Sequence, residues 1–229
     1  MMNKEIFWQM IDEAREESGG VMNNCAYTEY ESTFCNLLER ELARLDDADL
    51  IKWQQIFNVY RCQITEHKEK IHAAAHFING YCSDRGFYYF SNWLVASGKE
   101  IYMKAIYDPD DLADIEINGY AVQEELSDVA VRAFNAKRGL HDSDKLFKTI
   151  MRLCVPMTDE EKLSITSEIT RAPKSAIDDD IYSKGIEVEK WLPKLSAKYN
   201  RWWKKMYFTL RDPNEYDRLN LYVNSCIDL

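Results

Sequence analysis

Apolar positions along this chain recur every three or four residues far more often than every two, the spacing of helices that bury one face. Ile6, Phe7, Met10, Ile11 and Ala14 make a first such stripe, and Gly19-Gly20 closes it. Thr28 and Glu31 have capping-box spacing, with hydroxyl and carboxylate each serving an exposed amide. The helix they open should bury Phe34, Leu37, Leu38 and Leu42. Asp46 or Asp47 then caps a helix whose inward face is Leu50, Trp53, Phe57, Tyr60 and Ile64. A short apolar segment, Ile71 to Ile78, ends at Asn79-Gly80, two residues that accept left-handed backbone and so mark a turn.

Ser83 is placed to cap the next helix, which turns Phe87, Phe90, Trp93 and Leu94 inward and breaks at Gly98. A further helix runs to the turn signal Asp108-Pro109. Residues 109–119 read as an acidic loop with one β-like run, Ile115 to Ile117. Val122, Leu126, Val129 and Phe134 predict a helix ending at Gly139, and residues 142–153 and 159–170 predict two more. Pro173 to Gly185 is the best linker candidate. The last helix starts near Pro193, where a missing amide costs nothing, and stripes Leu195, Tyr199, Trp202, Trp203, Met206 and Tyr207. The expected fold is all-α or mainly α. It is a single helical domain, residues 1–140, with a helical C-terminal extension, 141–229, packed back onto it.

Composition supports a packed core. The chain has 229 residues, 46% of them hydrophobic, which argues against disorder. Charge begins at Lys4 and Glu5 with no apolar leader after it, and no run approaches the roughly 18 apolar residues of a membrane span. The six cysteines form neither a C-x-x-C pair nor a zinc pattern, and read as reduced core thiols of a cytoplasmic protein. A net charge of −10 disfavours nucleic-acid binding. That charge is uneven: Asp108 to Asp128 holds eight acids and no base, while Lys184 to Lys205 holds seven bases and two acids. A basic C-terminal segment docked beside an acidic body follows from this.

The stretch Ala73-Ala74-Ala75-His76-Phe77-Ile78-Asn79-Gly80-Tyr81-Cys82-Ser83-Asp84-Arg85-Gly86-Phe87, then Tyr89-Phe90, Trp93-Leu94 and Gly98, resembles the signature of domain-of-unknown-function family 4240. Phe7-Trp8 with Ile11 to Arg15 is similar to the family's opening, and Asp108-Pro109 with Leu112-Ala113 also fits. The resemblance covers roughly residues 3–135, and Leu192-Pro193-Lys194-Leu195 looks like a closing segment. It implies a helical bacterial domain without an assigned activity. His72 and His76 stand where the family usually has aromatic residues, Arg85 where an acid is common, and Ser91 where an arginine is common.

The chemistry-bearing residues concentrate between Asn79 and Trp93. Asn79, Cys82, Ser83, Asp84, Arg85, Tyr89 and Trp93 surround a helix N-terminus, where free amides can meet a polar ligand. Structural roles explain many of the same residues: Ser83 caps, Asp84 suits the positive helix end, and Cys82 fills core. A thiol nucleophile at Cys82 would need His72 or His76 as base, and those histidines would need a third ligand to hold zinc. No phosphate loop and no G-x-S-x-G is present. No catalytic residue, metal site or cofactor is assigned. Acidic pairs such as Glu124-Glu125 read as solvated surface.

Two functions from different classes remain. The first is a cytoplasmic acidic interaction module, such as an immunity or adaptor protein. It would meet a basic partner protein through Asp108, Asp110, Asp111, Asp114 and Glu116. The second is a small enzyme or ligand-binding domain using the Asn79–Trp93 cleft. The expected partner is a protein, with no membrane and no nucleic acid.

Overall fold

In the computed structural model the described residues are 1–19, 33–66, 68–117, 119–139, 147, 156–173 and 188–199. They are helical, with no strand among them. The mainly α class read from the periodicity is what the chain adopts. Six helices come first: α1 (Lys4–Glu17), α2 (Thr33–Leu42), α3 (Asp47–Thr65), α4 (Lys68–Asn79), α5 (Asp84–Ala96) and α6 (Lys99–Tyr107). Two 3₁₀ turns, Pro109–Asp114 and Glu125–Asp128, lead to α7 (Val129–Ala136). Then come α8 (Asp159–Thr166), α9 (Val188–Trp191) and α10 (Pro193–Lys198).

The boundaries follow local chemistry. Asn3, Asp46 and Ser83 each accept a backbone N–H with their side chains at the starts of α1, α3 and α5. Thr158 and Glu161 form a full capping box on α8. Gly98 separates α5 from α6 at φ 91°, a conformation that a Cβ would strain. A side chain there would also run into the Asp12 carboxylate of α1.

Helix α3 is the hub. It buries Leu50, Ile51, Trp53, Ile56, Phe57, Tyr60 and Ile64, and so is apolar on more than the single seam its spacing suggested. Helices α1, α4, α5, α7 and α8 pack around it. Rings from three helices interlock at its middle: Phe7 with Trp53 at 5.2 Å, Trp8 with Tyr60 at 4.6 Å, and Tyr60 with Tyr102 at 5.4 Å between centroids. These tilted and edge-on contacts are the arrangements ring quadrupoles favour. Trp53 and Tyr60 are fully buried.

The C-terminal helices join this core. Ile165 of α8, Trp191 of α9 and Leu195 of α10 are buried in it. Helix α8 packs on α3, and α10 packs on α4 and the first 3₁₀ turn.

Several expectations change. The apolar run Ile71–Ile78 is the body of helix α4. The acidic loop begins as the 3₁₀ turn Pro109–Asp114, and Ile115–Ile117 is irregular backbone paired with no strand among the described residues. Val122 is not helical; the chain runs irregularly to Glu124, and helix forms only after the second 3₁₀ turn. Leu37 is half-buried rather than core. Helix α8 stops at Thr166. The Thr28–Glu31 box, most of the 142–153 helix, most of the Pro173–Gly185 linker, and Trp202, Trp203, Met206 and Tyr207 lie outside the described residues.

A tyrosine-lined cleft at the start of α5

The turn between α4 and α5 is built by its own residues. Gly80 takes φ 80°, which lets the chain reverse after Asn79. The Asn79 amide then clamps a distant segment: its Nδ2 donates to the Ala121 carbonyl at 3.2 Å, and its Oδ1 accepts from the Ala121 N–H at 2.7 Å. One turn into α5, the Gln123 N–H donates to the Tyr89 carbonyl at 2.9 Å. The irregular segment 120–124 is thereby fastened across the start of α5.

A cleft of about 530 Å³ lies between these parts. That is within the usual size range of small-molecule sites. Asn79, Ser83, Arg85 and Tyr89 line it, so it gathers four of the seven residues singled out from the sequence. Gly86 and Val122 also line it, and Tyr81, Tyr120 and Glu124 are further wall residues that were missed. Tyr81 and Tyr120 are 65% and 56% exposed.

A three-part brace crosses the rim. Arg85 Nε donates to the Tyr89 hydroxyl at 2.6 Å, Arg85 Nη2 donates to Glu124 Oε1 at 3.1 Å, and the Tyr89 hydroxyl donates to the same Glu124 oxygen. Partial burial and the carboxylate acceptor raise the Tyr89 pKa, so its proton stays on. Arg85 and Tyr89 stand four apart on one helix face, which the sequence shows. Glu124 is 39 residues from Arg85, and no sequence spacing reveals that pairing.

The other three candidates sit elsewhere. Trp93 is core, its ring tilted against Phe90 at 5.4 Å between centroids. Asp84 is exposed and outside the cleft lining. Cys82 is buried, and burial, with the Asp84 charge adding to it, pushes its thiol up to about 12.

The two histidines serve the same turn. His72 Nε2 meets the Cys82 carbonyl at 3.0 Å, and His76 Nδ1 accepts the Cys82 N–H at 3.1 Å. The rings pack against each other at 4.7 Å, and His72 also meets Phe87 at 4.9 Å. Burial lowers the His72 pKa, and burial plus its neighbour lowers His76 to about 4. Neutral imidazoles hold the Cys82 backbone, and the thiol itself donates to the Ser83 carbonyl at 3.6 Å. No group of metal-binding side chains occurs among the described residues.

The acidic stretch is largely used inside the molecule. Asp110 is buried and accepts the Lys194 and Leu195 N–H groups at 3.0 and 2.9 Å, holding the start of α10. Asp111 pairs with Lys194 at 2.6 Å and Asp108 with Lys70 at 2.9 Å. Lys198 donates to the Ala113 and Ile115 carbonyls, both at 2.6 Å. Asp114 and Glu116 remain exposed. Glu125, read as solvated surface, instead pairs with Arg132 at 3.3 Å.

A helical domain built around one central helix, with a tyrosine-lined cleft at the turn between its fourth and fifth helices, is the class of protein these features define. The chain belongs to the family described as protein of unknown function DUF4240, whose model matches residues 2–136. The closing resemblance at Leu192 to Leu195 falls beyond that match. No curated protein and no solved structure matches the chain. No helix among the described residues is long and apolar enough to cross a membrane.

Proposed function

We propose that the chain is a binding domain that takes a small polar ligand in the cleft between Asn79 and Glu124. The observation that carries this reading is the Arg85–Tyr89–Glu124 brace. Three polar side chains from two separated segments meet beside solvent-exposed tyrosine rings, a convergence of polar groups in a cleft that core packing does not require. Binding is favoured over covalent chemistry because the Cys82 thiol is buried and protonated, the histidines beside it are occupied by its backbone, and the cleft-lining Ser83 hydroxyl is the cap of α5. A cytoplasmic setting is supported by the Cys82 thiol, which is in no disulfide.

The test is a fragment screen on the isotope-labelled full chain, read by amide chemical shifts. Hits should move the amides of Asn79, Tyr81, Tyr89, Tyr120 and Glu124 together. Hits that cluster elsewhere, or a screen without hits, reject the cleft.

An acidic interaction module, acting on a basic partner protein in the manner of an immunity or adaptor protein, is the second reading. Exposed Asp114 and Glu116 favour it. Its face is narrower than the composition suggested, since Asp108, Asp110 and Asp111 are paired within the chain. Salt-sensitive capture of one protein, abolished by neutralising Asp114 and Glu116, would support it over the cleft.

A further inference from the structure

Resting on the cleft reading, the geometry points to an uncharged saccharide as the ligand class: a pyranose ring laid against tyrosine, with neighbouring hydroxyls held by Arg85 and Glu124. Three features of the wall lead there.

Charge comes first. Arg85 and Glu124 are the charged side chains lining the cleft, and they neutralise each other at 3.1 Å. Asp84, exposed at the first turn of α5, adds a negative charge beside the helix end that would otherwise attract a phosphate. An anionic ligand therefore meets no net positive charge, and an uncharged one keeps its affinity.

Hydrogen-bonding capacity comes second. Within the brace Arg85 uses Nε and Nη2, and Glu124 uses Oε1. Among the described residues Arg85 Nη1 and Glu124 Oε2 make no hydrogen bond. Their side chains are 78% and 48% exposed. A donor and an acceptor are thus left over on two cleft-lining residues that are bonded to each other. Two adjacent hydroxyls, each both donor and acceptor, match that pair, and both protein bonds are charge-assisted.

The rings come third. Tyr81, Tyr89 and Tyr120 line one cleft. Tyr81 is oriented by the edge of His76 at 5.9 Å, and Tyr89 lies under the Arg85 guanidinium at 5.4 Å. Tyrosine offers a broad apolar face with few rotatable bonds, suited to the C–H face of a sugar, and its hydroxyl keeps the site wet. The cleft is partly open and its wall is more apolar than polar, so it offers ring faces with a few polar groups beside them, the arrangement that a hydroxylated ring with one C–H face requires.

Saturation-transfer NMR on the full chain tests this, with maltose, cellobiose, N,N′-diacetylchitobiose and adenosine as probes at millimolar concentration. At least one disaccharide should receive saturation at its ring protons. Binding should weaken about fivefold or more in Tyr120→Ala and in Glu124→Gln. Both side chains are substantially exposed, so both variants keep the fold, and Tyr107→Phe, outside the cleft, should bind as the parent does. No transfer to any disaccharide, or equal binding in both cleft variants, overturns the proposal. Transfer to adenosine alone also overturns the saccharide class but leaves the cleft reading intact. That reading fails separately, in the fragment screen.

Discussion

His76 is the side chain whose charge state most directly tests how the α4–α5 turn is held. Folded, its pKa lies at about 4 because burial and neighbouring His72 oppose a proton; its ordinary value is 6.5. Between those values the unfolded chain binds more protons than the folded one, so stability falls as the pH drops from about 6.5 towards 4. The full contribution is at most about 3 kcal/mol. Glu41, Asp47, Glu161 and Glu168 have lowered folded values, and their share is lost only below the ordinary carboxylate range. The interval from pH 6.5 to 5 therefore isolates the histidines. Urea unfolding of His76→Phe should show a shallower loss over that interval. It should also show a constant deficit of about 1 kcal/mol, since the Cys82 amide loses its acceptor. An unchanged slope would mean that His76 is not held neutral. The sequence exposed part of this: two histidines share one helix face four residues apart, where the family usually has aromatic residues. That they hold the Cys82 backbone, rather than activate its thiol, depends on how the chain reverses at Gly80, and no local pattern records that.

At the scale of elements, periodicity located helices well where a long stripe faces one core, as in α1, α3 and α5. It failed where the chain must be tied down by distant groups. Val122 looked helical by spacing, yet the Asn79 clamp on Ala121 and the Tyr89 bond to Gln123 hold that segment out of a helix. The start of α10 shows both sides. Pro193 marked it in sequence, but its exposed amides are satisfied by Asp110, more than 80 residues earlier. Asp110→Ala should therefore loosen α10 specifically, costing about 1–2 kcal/mol. Hydrogen exchange would check it: the Ser196 and Tyr199 amides, which bond within this last segment, should exchange about tenfold faster while those of α3 hold. Equal acceleration in α3 would show instead that α10 opens only with the whole core.

For the whole molecule the question is whether the family's matched residues, 2–136, are a self-sufficient core. Charge asymmetry in the sequence already suggested a basic segment lying on an acidic body, and Lys194 and Lys198 do meet the first 3₁₀ turn and its neighbours. Of the apolar side of that docking, the stripe of the last helix showed Leu195 and left the rest unmarked. Met157, Ile165, Trp191, Leu192 and Leu195 are all buried, and removing them would bare the surfaces of α3 and α4 that they cover. One polar anchor matters as well. Glu168 accepts the Tyr60 hydroxyl and pairs with Lys99 at 2.9 Å and Lys4 at 3.4 Å, so it ties α1, α3 and α6 from a position outside the family match. Without it, the buried Tyr60 hydroxyl loses its carboxylate acceptor, and the apolar losses add to that. A chain ending at Gly139 should accordingly unfold at lower urea than the full chain and bind an apolar dye under native conditions. Glu168→Gln in the full chain should fall between the two, because it weakens the anchor and keeps the apolar cover. If the shortened chain matched the full one in midpoint and stayed dye-free, residues 1–140 would be an independent domain. The C-terminal helices would then be a passenger on its surface rather than part of its core.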